Sequence, residues 1–354
     1  MNSERAIMKK IFFLFILISV LISCSEDNTN PTPTARINEI DPSVAYIGQN
    51  ITIYGENLGY GDVEAKVVFD STIFVGKESC KKWNNSLIEL KVPKGVVLGE
   101  VFVIIGSDTT NTLQMTISPL PPFNMLLIPG GSFEMGSESG DANELPVHDV
   151  KIDSLYASEF EITQLLWQSV MDTLHEDYLG DNYPVANIGW YMAVDFCNKL
   201  SIIEDFDTCY SYRNNEVLCD FEANGYRLPT EAEWEYLCRA GTTGDYSGTD
   251  LSNIAWFAEN SGFNRHPVGT KQPNPFGIYD MHGNLWEWCW DWFDEAYYEV
   301  SPEDNPQGPN DGNIDVIRGG SYADDIFYLR SANRTFPHAD SSLCGFRIVR
   351  RVSN

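Results

Sequence analysis

Positive charge is scarce in this chain. Its 354 residues hold 23 lysines and arginines against 51 aspartates and glutamates, a net charge of −28. A surface that acidic repels nucleic acid and anionic headgroups, which excludes both as partners, and it favours cations. Histidine is sparser still. His148, His175, His266, His282 and His338 are scattered and lack a metal-ligand spacing such as His-x-x-x-His, so each reads as a structural or surface residue. The glycine neighbourhoods of Ser132 and Ser321 do not build a nucleophile elbow. Long hydrophobic runs are missing too: the apolar stretch Ile11 to Ile22 is too short to span a bilayer comfortably.

That stretch reads instead as a signal. Lys9 and Lys10 precede it, and Leu21-Ile22-Ser23-Cys24 closes it. A basic flank, a short apolar run and a cysteine after a small residue make a bacterial lipoprotein signal over residues 1–23, with Cys24 lipidated as the mature N-terminus. An uncleaved anchor helix is the alternative. Residues 24–35 form a polar, proline-containing tether with too little apolar surface to fold. Its Ser25-Glu26-Asp27 resembles the surface-export signal of Bacteroidetes lipoproteins. The expectation is a lipid-anchored protein displayed on the bacterial outer membrane, with an extracellular protein or glycan as ligand.

Residues 36–118 read as all-β. Asn50 to Tyr54, Lys66 to Phe69, Ser86 to Val92 and Glu100 to Ile105 are short β-rich runs between turn residues, the pattern of a β-sandwich. Asp41-Pro42, Gly48, Ile51 to Gly59 and Trp83 before Leu87 to Pro93 resemble the IPT/TIG family of immunoglobulin-like domains, which implies a spacer. Cys80 is expected to be a buried thiol. Ser118-Pro-Leu-Pro-Pro122 marks the joint, since consecutive prolines cannot continue a ladder.

The second domain spans residues 123–352. Met125 to Gly136 reads as strand, glycine turn and strand. Helical spacing runs over Ile162 to Met171 and Trp190 to Leu200, with Ala193, Phe196, Cys197 and Leu200 on one face. Thr230 and Glu233 form a capping box that opens a third helix, on which Glu231 and Glu235 are expected to share a solvated face. In Gly277 to Trp292, tryptophans at 286, 288, 290 and 292 alternate with polar residues, which is strand period and puts all four on one face.

That segment, with Gly225 to Tyr236, Arg318-Gly-Gly-Ser-Tyr322, Arg330-Ser-Ala-Asn-Arg334 and Gly345-Phe-Arg347, resembles the formylglycine-generating-enzyme (sulfatase-modifying factor) family. The resemblance implies an α+β, C-type-lectin-like fold behind the N-terminal all-β sandwich. It also implies a calcium site from the carboxylates of Asp280 and Glu287 with the carbonyls of Gly283 and Leu285, hard oxygens that suit calcium. A loop held only by hydrogen bonds of those carboxylates is the alternative. A looser match suggests a second site from Asn253, the Ile254 carbonyl, Asn260 and the Gly262 carbonyl.

The family's copper chemistry has no donors here. Its oxidase uses two thiols soon after the Gly-Gly-Ser-Tyr turn, but Ala323-Asp-Asp-Ile-Phe-Tyr-Leu-Arg330 holds no cysteine, and Ile326 stands where the second thiol would be. Aspartate and isoleucine do not supply soft ligation. Cysteines at the positions of Cys197 and Cys238 find their family partners at Ser331 and Ile348, so those long bridges are lost. Cys209 and Cys219 flank a hairpin-like segment and are expected to pair; Cys289 with Cys344 is possible. Tyr322, Asp324, Asp325, Phe327, Tyr328, Thr335, Phe336 and His338 mix aromatic and short polar groups, the composition of an adaptable binding surface. The layout resembles surface lipoproteins whose lectin-like region is diversified. The alternative is that several are core, since Phe327 and Leu329 alternate with Tyr328. The leading expectation is a non-catalytic binding or scaffold lipoprotein. A formylglycine-generating oxidase with unusual thiols and an accessory lipoprotein of a secretion or gliding machine compete with it.

Overall fold

The structure, a computed structural model, describes residues 34–59, 64–173, 179–214, 216–337 and 342–352. Cys24 of the expected lipoprotein signal, His338 of the expected binding face and His175 lie outside the described residues. The chain divides into two compact units between Ile117 and Ser118, at the proline-rich joint. No helix among the described residues is long and apolar enough to cross a membrane.

The first unit is built on two larger antiparallel sheets, with Val44–Tyr46 and Thr116–Ser118 paired beside them. Arg36–Asp41, Asn50–Glu56, Leu87–Lys91 and Lys82–Trp83 form one; Leu113–Gln114, Glu100–Ile105, Lys66–Phe69 and Ile73–Gly76 line up in the other. Alternation fixes which side chains turn inward: Ile51 and Ile53 from the first sheet meet Val67, Phe69, Val101 and Val103 from the second in one core. A side chain at Gly55 would strike the Arg36 carbonyl oxygen at 2.2 Å, so this strand crossing requires glycine. Cys80 is half-buried rather than buried, because it ends a short 3-10 turn and donates to the Gly76 carbonyl at 3.4 Å.

In the second unit, Met125–Ile128 and Gly131–Met135 flank a turn yet join different partners. The first pairs with Leu155–Ser158, which continues to Val349–Arg351 and Tyr226–Arg227; the second pairs with His148–Ile152. Helices Gln164–Met171 and Trp190–Ile203 pack on one core, and the shorter Glu231–Arg239 on another. The strand Trp286–Trp292 is the wall between these cores. Trp286 and Trp288 enter the first with Phe196 and Phe346, while Cys289 enters the second with Trp234 and Val316. Trp290 and Trp292 follow on the tryptophan side, half-buried against Trp190 with ring centroids 5.6 and 6.3 Å away. Asp315–Arg318 pairs antiparallel with this strand and Cys344–Gly345 pairs parallel. The tryptophans therefore share a face as expected, but the polar residues between them are buried as well.

Candidate functional site

Thr230 caps the helix Glu231–Arg239 through a reciprocal box: its Oγ1 accepts from the Glu233 amide at 3.2 Å, and Glu233 accepts from the Thr230 amide at 2.8 Å. Glu233 has a second task, taking both arms of the Arg227 guanidinium at 2.6 and 2.7 Å. The solvated face expected for Glu231 and Glu235 does not exist. Both are buried, because Arg334 forks Glu231 at 2.6 and 2.7 Å while Arg239 and Arg318 donate to Glu235. Removing one partner of such a buried pair leaves an uncompensated charge and costs about 3–5 kcal/mol.

A second buried cluster lies where calcium was expected. Glu287 accepts from Arg347 Nε and Nη2 at 2.6 and 2.7 Å and from Trp234 Nε1 at 2.7 Å. Both its oxygens are thus engaged by nitrogen donors. Asp280, in the left-handed region at φ 59°, accepts from the Gly269 amide at 2.7 Å through Oδ2. Its other oxygen, Oδ1, is buried and has no partner among the described residues. Burial pushes the Asp280 carboxyl up to about 6. Gly283 has φ 89°, and a side chain there would meet the Trp256 carbonyl oxygen at 2.1 Å.

Sequence reasoning missed a third carboxylate, Glu161. It is buried and accepts from Asn284 Nδ2 at 2.7 Å and the Leu285 amide at 3.1 Å. Burial, then the charges of Asp280 and Glu287, hold it well above the usual carboxylate range. Its signal was an acidic residue between Phe160 and Ile162, next to the helix cap Thr163. Arg347 interacts with all three carboxylates. The orphaned Asp280 oxygen and the excess negative charge fit a hard cation, whereas Glu287, held by Arg347, does not fit as its direct ligand. No three His, Cys, Asp or Glu side chains among the described residues are grouped to hold a metal ion, so backbone carbonyls such as those of Gly283 and Leu285 would have to complete a shell.

The looser second set lies in a loop rich in local hydrogen bonds. Asn260 accepts from the Phe257 amide and donates to the Ala255 carbonyl, both at 2.9 Å. The Gly262 carbonyl accepts from Asn264 at 2.8 Å, and Asn253 donates to Asp250 at 3.0 Å. These local bonds make a turn-rich loop around Asn253, Asn260 and Gly262.

The expected binding face is partly assembled. Residues Ile326–Leu329 form a 3-10 helix rather than a strand, and Asp325 caps it by accepting from the Phe327 amide at 2.9 Å. Ile326, Phe327 and Tyr328 are 48, 37 and 41% exposed, and only Leu329 turns fully inward. Asp324 accepts from the Ser321 amide at 2.9 Å, and the Tyr322 carbonyl accepts from Ser261 at 2.7 Å, so these residues shape the loop. Phe336 belongs to other packing, with its ring 4.9 Å from Phe293. Thr335 pairs with Ile317 in the sheet.

His282 anchors the exposed helix. Its Nδ1 lies 2.7 Å from the Leu329 carbonyl, which can only accept, so Nδ1 carries the proton and Nε2 accepts from Ser247 at 2.8 Å. Burial lowers this imidazole to about 4, which keeps it neutral.

All seven described cysteines are free. The expected Cys209–Cys219 bridge is not formed. The hairpin register sets Tyr210, not Cys209, opposite Cys219, so the two cysteines are not a directly facing pair, although both pack on the first core. Cys344 stands opposite Trp286, three residues from Cys289, and the two enter different cores.

Residues 114–352 match the family model described as a sulfatase-modifying factor enzyme 1-like domain, and residues 35–118 match the IPT/TIG domain. The chain is 34% identical over 206 residues to the chaperone protein LppX of Paenibacillus barcinonensis, covering 48% of this chain and 71% of that protein. It is 30% identical over 279 residues to the formylglycine-generating enzyme of Streptomyces coelicolor, covering 62 and 87%. Against a longer chlamydial relative, it spans 55% of that protein's length. Among solved structures, Treponema denticola variable protein 1 superposes with a TM-score of 0.60 at 31% identity, over 72% of this chain and 99% of that one. On these matches and this fold, the chain belongs to the sulfatase-modifying factor enzyme 1-like family, with an IPT/TIG domain at its N-terminal side.

Proposed function

We propose that this protein is a surface-anchored, non-catalytic binding or scaffold lipoprotein whose family head is stabilised by calcium. One observation carries the reading. Between Tyr322 and Arg334, where the family's oxidase places its thiols, the chain has no cysteine and presents Ile326, Phe327 and Tyr328 to solvent. Among the remaining thiols of the head, Cys197 and Cys289 are buried and held well above the ordinary thiol range by desolvation, which disfavours the thiolate that copper would need. Similarity to a chaperone and to a Treponema variable protein is in keeping with a partner-binding head. The IPT/TIG domain serves as spacer, and lipidated Cys24 as anchor.

The resemblance to formylglycine-generating enzymes keeps an oxidase as the second reading. A copper-loaded sample incubated with a Cys-x-Pro-x-Arg peptide decides between them. We expect the peptide thiol to remain intact by mass spectrometry; conversion to the aldehyde would establish the oxidase. Fatty-acid labelling tests the anchor, and a Cys24→Ala chain that still incorporates label would remove it.

A further inference from the structure

A cavity of about 580 Å³ opens between the strand Gly131–Met135, the end of the helix Glu231–Arg239 and residues 241–245. Its size lies within the range of ligand sites. The lining includes three aromatic rings. Tyr236 sits between Phe133 and Phe276, with ring centroids 5.5 Å from each and interplanar angles of 50 and 52°. The Tyr236 hydroxyl donates to the Pro129 carbonyl at 2.8 Å, which fixes the central ring in place.

The rim decides the charge of the occupant. Glu134, Glu138 and Asp245 line the opening and are exposed. Among the described residues, no lysine or arginine forms an ion pair with any of them. Arg239 also lines the cavity, but its guanidinium is turned to Glu235 at 2.8 Å and to the carbonyls of Gly136 and Gly244 at 2.9 and 3.3 Å. An anion would meet the carboxylates of Glu134 and Glu138, and that of Asp245, which accepts from Ser139 Oγ at 3.3 Å. A neutral sugar would gain ring contacts and hydrogen bonds, but nothing from the net charge. A cation gains from the rim carboxylates and from the aromatic lining together.

We propose that this cavity binds an alkylammonium group, carried by a small amine or by the lysine side chain of a partner protein. The site is separate from the exposed helix Ile326–Leu329 and does not depend on the reading of that surface. It neighbours it, however: the Asp245 carbonyl accepts from the Ser331 amide at 2.7 Å, and the Tyr246 hydroxyl donates to the Ile326 carbonyl at 2.7 Å.

The test is a calorimetric titration of the full chain with choline, with its uncharged isostere 3,3-dimethylbutan-1-ol, and with Nα-acetyl-lysine methylamide. At least one ammonium probe should saturate, and the isostere should bind at least tenfold more weakly. Tighter binding of the lysine amide assigns the site to a protein side chain; tighter binding of choline assigns it to a small amine. The double variant Glu134→Gln/Glu138→Gln changes only exposed positions and should weaken the ammonium probe at least tenfold without moving the melting temperature. Phe133→Leu should weaken it as well. Equal affinity for the isostere, an unaffected double variant, or failure of both ammonium probes to bind would each overturn the proposal.

Discussion

The thiol of Cys238 and the hydroxyl of Ser331 lie 3.5 Å apart in the core of the head, although 93 residues separate them in the chain. Ser331 is the position to which the motif match assigns the family's missing cysteine, and burial pushes the Cys238 thiol up to about 12. Ser331→Cys should therefore create a cross-link in oxidising buffer. Closing a loop of that length is worth roughly 4–5 kcal/mol in the chain-entropy account. Thiol counting under denaturing, non-reducing conditions should show two fewer free thiols than the reduced variant, with a higher melting temperature. A variant that stays reduced would mean that the two side-chain vectors diverge.

Local chemistry was legible in the sequence and long-range pairing was not. The box of Thr230 and Glu233 appears as written because all its parts lie within one turn. The burial of Glu231 and Glu235 depends on Arg334 and Arg318, which arrive 103 and 83 residues later. No periodicity on the helix announces them. The same limit explains Glu161, whose bonds to Asn284 and Leu285 span 123 and 124 residues. For the cysteine hairpin, the register puts Tyr210 rather than Cys209 opposite Cys219, and spacing alone cannot fix register.

Chelation should destabilise the head. Asp280 presents one buried oxygen without a partner among the described residues, beside two further buried carboxylates that share Arg347. A cation bound only by the folded state raises stability by mass action, by about 2.7 kcal/mol at a hundredfold excess over its dissociation constant. EDTA should lower the melting temperature of a calcium-loaded sample, and Asp280→Asn should abolish the difference. Asparagine is chosen because it tolerates the left-handed conformation at this position. An unchanged melting curve on chelation of a sample shown to contain calcium would leave these carboxylates a purely structural role.

The same carboxyl predicts a pH signature. Burial raises Asp280 from 3.8 to about 6, so the folded chain keeps this proton where the unfolded chain has lost it. Its contribution is therefore fully present below about pH 4, falls as pH rises to about 6, and is level beyond. Two units correspond to on the order of 3 kcal/mol. Glu161 acts in the same direction. Glu235, held below its ordinary value by Arg318 and Arg239 against its burial, acts in the opposite sense at lower pH. Subtracting the profile of Asp280→Asn isolates the effect. Urea midpoints in chelator should decline between pH 4 and 6.5 more steeply for the native chain than for the variant. Saturating calcium, which favours the ionised carboxylate, should flatten that difference. Parallel profiles in chelator would show that Asp280 does not hold the proton.

Binding should separate from folding on the exposed helix. Phe327 and Tyr328 contribute partly exposed rings, with Phe327 under the Arg330 guanidinium at 4.3 Å and Tyr328 edge-on to Trp286 at 6.2 Å. Arg330 in turn is fixed by Glu144 at 2.6 and 2.8 Å, so the helix is braced before any partner arrives. A preorganised surface loses less conformational entropy on binding. Ile326→Asp and Tyr328→Ala should each weaken an extracellular partner recovered by pull-down at least tenfold, while melting shifts by no more than the scatter of surface substitutions, about 0.5 kcal/mol. Phe336→Ala should behave differently. Its ring packs on Phe293, which also lies under Arg334 at 5.0 Å, so truncation of this half-buried ring should destabilise the fold by about 0.5–3 kcal/mol without selectively affecting affinity. Should Ile326→Asp and Tyr328→Ala bind like the native chain while the partner crosslinks to residues 35–118, the binding surface belongs to the IPT/TIG domain instead.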